Sequence, residues 1–145
     1  MQVKPKITFF IPDLENPIPT SFITGEIKAG FPSPAADFEE LKLSLDHLLI
    51  KNKEATFYAK ASGNSMIGAG IDDGDILVID RSLEPRNNAI AVCLIDGEFT
   101  VKRIKKDNDE VYLMPENPQY EPIVIREENQ LIIWGIVTYA IKQMK

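Results

Sequence analysis

The sequence contains very little cysteine and histidine. Its 145 residues include one cysteine, Cys93, and one histidine, His47. A single cysteine cannot form an intramolecular disulfide, and one thiol with one imidazole does not make an ordinary zinc site. Cys93 lies in an apolar run and His47 in a leucine-rich segment, so neither is favoured as a nucleophile or a base. We therefore expect no cofactor and no metal, and any catalytic chemistry has to use other side chains.

Long apolar segments are also missing. The most apolar stretch, residues 131–141, has eleven residues and includes Gly135, Thr138 and Tyr139. A membrane-spanning helix needs about 20 apolar residues. The start of the chain has no basic segment followed by an apolar one, which a signal peptide would require. The sequence thus predicts a soluble, cytoplasmic protein with no membrane partner.

The chain also has no excess of basic residues. The 16 Lys and Arg residues against 22 Asp and Glu residues leave a formal net charge of −6. Domains that bind nucleic acid mainly by neutralising phosphates are usually basic. We therefore expect no direct sequence-specific DNA binding. The length is sufficient for one compact hydrophobic core.

Proline is abundant, and it is concentrated near the beginning of the chain. Because proline removes a backbone donor and blocks helix, this region is predicted to be an extended, flexible and poorly packed arm. After it, Ser33-Pro34 has the pattern of a helix start. Apolar residues through Leu49 favour one helix, or two short ones with Ser44 capping the second. Six of the ten prolines lie in the first 34 residues: Pro5, Pro12, Pro17, Pro19, Pro32 and Pro34.

The rest of the chain has a residue pattern that is typical of a β protein. Short runs rich in β-branched and aromatic residues alternate with turn signals, and Asp96-Gly97 is a strong hairpin signal. The predicted fold is one mainly-β domain with a flexible N-terminal arm and one or two short helices. The predicted strands are residues 56–61, 75–80, 89–95, 98–105, 111–114, 123–125 and 131–141.

One candidate reactive segment is the run of small and polar residues from Ala61 to Met66, directly after a predicted strand. It reads Ala-Ser-Gly-Asn-Ser-Met. Small residues allow a substrate to come close to the backbone, and the N–H groups of such a turn can stabilise an oxyanion. The alternative is an ordinary polar loop, which is common at such positions.

The second candidate is Lys102. Side chains alternate along a strand, so Lys102 shares a face with Thr100 and Ile104. If this face points inward, burial lowers the pKa of the ammonium, and a neutral lysine can deprotonate a serine hydroxyl without a histidine. The alternative is a surface lysine whose stem lies along the strand. The sequence by itself leaves both alternatives open.

Four segments, taken together and in order, resemble the LexA-like family of self-cleaving serine proteases (peptidase S24). Within that family the chain is most similar to the accessory subunits of error-prone DNA polymerases. The similarity runs from about Ile27 to the C-terminus. The segments are residues 29–37 (AGFPSPAAD), 61–66 (ASGNSM), 74–80 (GDILVID) and 96–102 (DGEFTVK).

The resemblance implies a serine–lysine dyad in a mainly-β domain of the LexA C-terminal type, related to signal peptidases. Ser65 would be the nucleophile and Lys102 the general base, with the backbone N–H groups of Ser65 and Met66 holding the oxyanion. The bond that is cut would be Ala29-Gly30 of the same protein. This divides the chain into an arm, residues 1–29, and a peptidase domain, residues 30–145.

The same resemblance implies partners. Members of this family are usually homodimers, and cleavage is stimulated by the RecA filament on single-stranded DNA during the SOS response to DNA damage. The shortened product then serves a translesion DNA polymerase of the UmuC type. Asn64 stands where family members often have Asp, and Ala29 precedes the cut where the well-known polymerase subunits have Cys. Alternative hypotheses are a non-enzymatic polymerase-binding regulatory module, a repressor fragment without its DNA-binding domain, and a signal-peptidase-type enzyme.

Overall fold

The computed structural model describes residues 8–15, 17, 19–23 and 40–144. The chain divides into two compact units, one made of Met1–Pro12 with Asn52–Lys145 and the other of Asp13–Lys51. The described secondary structure consists mainly of strands. Its elements are β1 (Thr8–Phe10), β2 (Thr20–Ile23), β3 (Glu40–Leu43), α1 (Leu45–Leu49), β4 (Thr56–Lys60), β5 (Ile76–Asp80), β6 (Ile90–Ile95), β7 (Glu98–Asp107), β8 (Glu110–Met114), β9 (Ile123–Ile125) and β10 (Leu131–Ile141).

The larger unit is built on one eight-stranded sheet. Its strand order is β1-β4-β5-β10-β6-β7-β8-β9, and each neighbouring pair is antiparallel. The hairpin between β6 and β7 turns at Asp96 and Gly97, whose φ angles of 47° and 83° are those that an Asp-Gly turn requires. The predicted mainly-β fold is confirmed, and each of the seven predicted strands is present within one or two residues of its expected bounds.

The smaller unit corrects one expectation. Residues 40–43 form β3 and pair with β2, whereas the apolar spacing predicted helix there. In the sequence Glu-Leu-Lys-Leu the two leucines are also two residues apart, which fits a strand, and the β-branched residues of Thr20–Ile23 provide the pairing partner. Among the described residues of this unit α1 is the only α-helix, and it begins after Ser44, where the two-helix alternative places the second helix. No side-chain hydrogen bond caps it. The helix start predicted at Ser33-Pro34 lies outside the described residues.

Two apolar clusters form the core of the larger unit. One centres on Leu77, Ile79 and Val92, and the other on Cys93, Ile104 and Leu113, all of which are fully or almost fully buried. β7 contributes to both clusters, because Val101 packs against the first and Ile104 belongs to the second. Lys102 thus lies on a strand that contributes side chains to both clusters, between Val101 and Ile104.

Candidate active site

Lys102 lies near the middle of β7, and its side chain is buried. Its residue exposure is 8%, and Ile104 on the same face of the strand is 2% exposed. β7 is an inner strand, since β6 pairs with one of its edges and β8 with the other. Of the two alternatives left open by the sequence, the inward-facing lysine is the one observed.

The Lys102 ammonium contacts the hydroxyl of Ser65. Lys102 Nζ donates to Ser65 Oγ at 3.0 Å, to Thr100 Oγ1 at 2.7 Å and to the carbonyl of Val101 at 3.1 Å. The two residues are 37 positions apart in the chain. The structure therefore brings together the two side chains that the sequence singled out separately.

Burial shapes the electrostatics of this contact. It lowers the pKa of Lys102 from its ordinary value of 10.5, because the charged form loses hydration. Among the described residues, no carboxylate forms an ion pair with Lys102. Burial also raises the pKa of the neighbouring Cys93 thiol to about 11, so Cys93 stays protonated at neutral pH. The site thus favours a neutral lysine.

The loop that carries Ser65 (residues 61–66, the Ser65 loop) is attached on one side to the turn at residues 72–75. The N–H of Gly63 donates to Asp73 Oδ1 at 2.8 Å. The N–H of Ala61 donates to the carbonyl of Asp75, and the N–H of Gly74 to the carbonyl of Ala61, both at 2.8 Å. These bonds hold the start of the loop to the start of β5.

The other side of the Ser65 loop is attached to the segment Pro115–Pro118 (the 115–118 clamp). The N–H of Glu116 donates to the carbonyl of Ser65 at 2.8 Å, and Asn117 Nδ2 donates to the carbonyl of Asn64 at 2.8 Å. The N–H of Gly68 donates to the carbonyl of Glu116 at 2.7 Å, so close that a Cβ at Gly68 would lie 2.6 Å from that oxygen.

Sequence reasoning did not identify the 115–118 clamp. Asn117 is buried, and its Oδ1 also accepts the N–H of Gln119 at 2.9 Å. The only local signal was the unusual Pro-Glu-Asn-Pro sequence. The clamp is a positioning element, since its groups contact the Ser65 loop and not the Ser65 hydroxyl.

The backbone around Ser65 also has unused donors. The N–H groups of Gly63, Ile67 and Gly68 are engaged in hydrogen bonds. Within the described part of the chain, those of Ser65 and Met66 make none. Adjacent backbone N–H groups without a partner in this part of the chain are the kind of donor that an oxyanion hole uses.

A cleft of about 620 Å³ opens beside the Ser65–Lys102 contact. Its walls are largely apolar and come from the Ser65 loop, the end of β6 with the first half of β7, and the segment from Tyr120 to the start of β9. Such walls suit an extended peptide with small or apolar side chains. The lining residues are Ala61, Ser62, Gly63, Ser65, Met66, Ile71, Ile95, Glu98, Phe99, Thr100, Val101, Lys102, Tyr120 and Ile123.

The structure describes His47 but not the two residues of the predicted cleavage site. His47 is exposed in α1, and Ala29 and Gly30 lie outside the described residues. No group of three or more His, Cys, Asp and Glu side chains is placed to hold a metal ion in the ranges that the structure describes. No helix among the described residues has the length and apolar character that crossing a membrane requires.

Comparisons with known proteins agree with this architecture. The model of the Peptidase S24-like family matches residues 21–138. Protein ImpA of Salmonella typhimurium is 40% identical, covering 81% of this chain and 80% of its own, and protein SamA of the same species is 41% identical, covering 84% of each. LexA repressor 1 of Geobacter sulfurreducens is 36% identical over 79% of this chain and 57% of the repressor. The chain therefore belongs to the peptidase S24 family and is a serine protease of the LexA-like kind.

Proposed function

We propose that this protease cuts its own Ala29-Gly30 bond with Ser65 as nucleophile and Lys102 as general base. The observation that carries the proposal is the 3.0 Å contact between Lys102 Nζ and Ser65 Oγ. This lysine is buried, and no carboxylate of the described residues forms an ion pair with it. A neutral amine at this distance can take the hydroxyl proton directly. No histidine or metal is needed.

The proposed reaction uses these groups in sequence. Neutral Lys102 accepts the proton of Ser65, and Oγ attacks the carbonyl carbon of Ala29. The N–H groups of Ser65 and Met66 hold the oxyanion, and Lys102 returns the proton to the amine of Gly30 as the peptide bond breaks. Water then hydrolyses the ester at Ser65, which leaves a product of 145 − 29 = 116 residues.

The substrate segment suits the cleft. Phe31 precedes Pro32, and a residue before proline favours extended backbone over helix. Ala29 and Gly30 have the small side chains that a close approach to Ser65 requires. β6 pairs with β7 from Glu98 to Arg103, whereas β8 pairs with β7 only from Arg103 onward. An extended segment can therefore add to the edge of residues 98–102 that faces away from β6. Because the substrate is tethered, its effective concentration is high, and cleavage is controlled by whether the arm is docked.

The processed form is proposed to act as a UmuD-type accessory subunit, as a homodimer, for a UmuC-type translesion DNA polymerase. In this proposal the RecA filament on single-stranded DNA stimulates cleavage in the SOS response by shifting the arm toward its docked position. The support is the similarity of residues 29–37 and 61–66 to the corresponding segments of those subunits. Residues 1–29 are then an arm that is removed, and residues 30–145 are the working domain.

Intact-mass spectrometry tests the proposal. The protein incubated at alkaline pH, or with RecA, ATP and single-stranded DNA, should yield the 116-residue product. Ser65→Ala and Lys102→Ala should each lower the rate by at least about 10³-fold, because each removes a group that acts in every turnover. Ser62→Ala in the same loop and Lys105→Ala on the same strand are the matched controls and should still cut.

Two results would overturn the proposal. One is a 116-residue product from either the Ser65→Ala or the Lys102→Ala variant. The other is the complete absence of product from the unsubstituted chain under both conditions, which would favour the non-enzymatic regulatory module.

A further inference from the structure

β1 is the outermost strand of the large sheet, and Phe9 supplies its ring contacts among the described residues. Thr8, Phe9 and Phe10 face Lys60, Ala59 and Tyr58 of β4. The ring of Phe9 lies 4.4 Å from the ring of Trp134 and 5.1 Å from that of Phe99, measured between centroids. The next ring, Phe10, is 50% exposed.

The site that receives β1 is built from parts of the chain that are distant in sequence. It consists of the outer backbone edge of β4 at residues 58–60 and the rings of Phe99 and Trp134, together called the β1 seat. Phe57 supports Trp134 from another side, with ring centroids 5.2 Å apart. The guanidinium of Arg81 lies 4.3 Å from the centre of the Trp134 ring. The seat is therefore held by residues that do not depend on β1.

The order of these parts along the chain has a consequence for the proposed cleavage. β1 precedes the Ala29-Gly30 bond, whereas every residue of the β1 seat follows it. Tethering keeps a short strand in place through an effective concentration in the millimolar range, and a cut removes that contribution. After the cut, the arm is held, among the described residues, by the three residue pairs of β1 with β4, the ring contacts of Phe9, and the four residue pairs of β2 with β3. Pairings this short are too small to keep a separate peptide bound at micromolar concentrations without the tether.

We propose that cleavage vacates the β1 seat, which then binds an extended segment of a partner protein with an aromatic residue at its centre. The inference rests on the proposed cleavage. An unpaired strand edge offers N–H and C=O groups to a new strand, and an uncovered Trp134 offers a surface for an aromatic ring. The chemistry of the partner segment is that of the present occupant: antiparallel to β4, with its ring opposite Ala59.

Fluorescence tests the seat directly, because Trp134 is the only tryptophan in the chain. The cleaved protein, separated from its arm by gel filtration, should emit at longer wavelength than the uncut Ser65→Ala chain, because Trp134 becomes hydrated. A synthetic peptide with the sequence of residues 5–13 should shift the emission back.

Two altered peptides provide the matched comparison. The peptide with Phe9→Ala should bind at least about tenfold more weakly, since it loses the buried ring. The peptide with Phe10→Ala loses the same group from an exposed position and should bind like the parent peptide. Equal binding by the two altered peptides would overturn the proposal.

Failure of cleavage is distinguishable from failure of the seat. If no 116-residue product forms, the uncut Ser65→Ala/Phe9→Ala chain serves instead, since its own β1 lacks the anchor and the parent peptide should bind to it. Far-UV circular dichroism establishes that this variant is folded. An arm that co-elutes with the cleaved domain, or emission that neither cleavage nor peptide alters, would show that the seat is not vacated for a partner.

Discussion

At the scale of single residues, the decisive feature is a lysine that is buried next to hydroxyls. Lys102 donates to Ser65, Thr100 and a backbone carbonyl, none of which is an anion. Such partners satisfy the N–H groups, but they do not compensate a buried positive charge as a carboxylate would. The protonated form of Lys102 is therefore destabilised by burial. The neutral amine, which is the form that a general base needs, is favoured.

The first prediction concerns pH. Only neutral Lys102 can accept the serine proton, and burial lowers its pKa below the ordinary 10.5. The neutral fraction, and with it the first-order rate of cleavage without any partner, should rise as pH increases through this lowered pKa. Rates measured by intact mass from neutral to alkaline pH check this. A flat or falling profile would contradict a lysine base.

The second prediction concerns stability. Since the pKa of Lys102 is lower in the folded chain than 10.5, the unfolded chain binds more protons between the two values, and stability rises with pH there. Below the lowered pKa the buried charge destabilises the fold. In a Ser65→Ala background, Lys102→Met should therefore raise the free energy of unfolding at neutral pH, on the order of 1 kcal/mol.

Denaturant unfolding of the two variants at neutral and alkaline pH provides the measurement. The difference should become smaller at alkaline pH, where the lysine is neutral in both states. Lys105→Met, at an exposed position of the same strand, should leave stability unchanged at both pH values. A Lys102→Met variant that is less stable than its parent at neutral pH would exclude a destabilising charge.

At the scale of elements, the Ser65 loop depends on segments that are themselves irregular. The turn at residues 72–75 holds its beginning, and the 115–118 clamp holds its end. Neither attachment is part of a strand ladder, so the position of Ser65 relative to β7 depends on a small number of hydrogen bonds. Loss of one such bond should affect the reaction more than the fold.

Asn117 provides the third prediction. Asn117→Ala removes the donor to the carbonyl of Asn64 and allows the Ser65 loop to move. Misplacement by about 1 Å can cost as much as a hundredfold, so cleavage should slow by about tenfold to a hundredfold. The pH at half-maximal rate should stay the same, because Lys102 keeps its surroundings.

The control for this variant is Asn129→Ala. Asn129 also joins two turns, donating to Asp96 Oδ2 at 2.7 Å, but it lies outside the cleft lining. It should leave the rate unchanged. Cleavage by Asn117→Ala at the rate of the unsubstituted chain would show that the clamp does not position Ser65.

At the scale of the whole molecule, the charge distribution argues against a surface that binds nucleic acid. Residues 102–106 contain four cations, Lys102, Arg103, Lys105 and Lys106. The structure buries Lys102 and pairs Arg103 with Glu116, so two of these four cations are not displayed as a binding surface. Lys105 and Lys106 are exposed, but Asp107, Asp109 and Glu110 follow them directly. The net charge of −6 is compatible with the proposed function, in which the protein acts near DNA through other proteins.

The fourth prediction follows from this charge. Neither the full chain nor the 116-residue product should change the fluorescence anisotropy of a labelled DNA duplex at physiological salt, because few phosphates can be neutralised. RecA filaments on labelled single-stranded DNA are the positive control, and there the proposed function predicts that the protein does bind. Binding that depends on the duplex sequence would instead favour the repressor-fragment hypothesis.

Local patterns in the sequence were sufficient for most of the strands. The alternation along residues 98–104 and the Asp96-Gly97 turn depend on neighbours, so β6 and β7 were predictable. β3 was not, because the same leucines fit a helix or a strand, and pairing with β2 decided between them. The strand at Thr8–Phe10 was not predicted either, since its stability comes from Trp134 and β4.

The sequence by itself determined the family, the mainly-β fold and the two residues worth testing, because these depend on motifs and on short-range periodicity. Only the tertiary structure decided that Lys102 points inward and meets Ser65 across 37 positions of chain, that Asn117 holds the Ser65 loop, and that Phe9 covers Trp134. Burial and non-local contacts set these outcomes. They depend on which surfaces the whole sheet brings together, which no local pattern encodes.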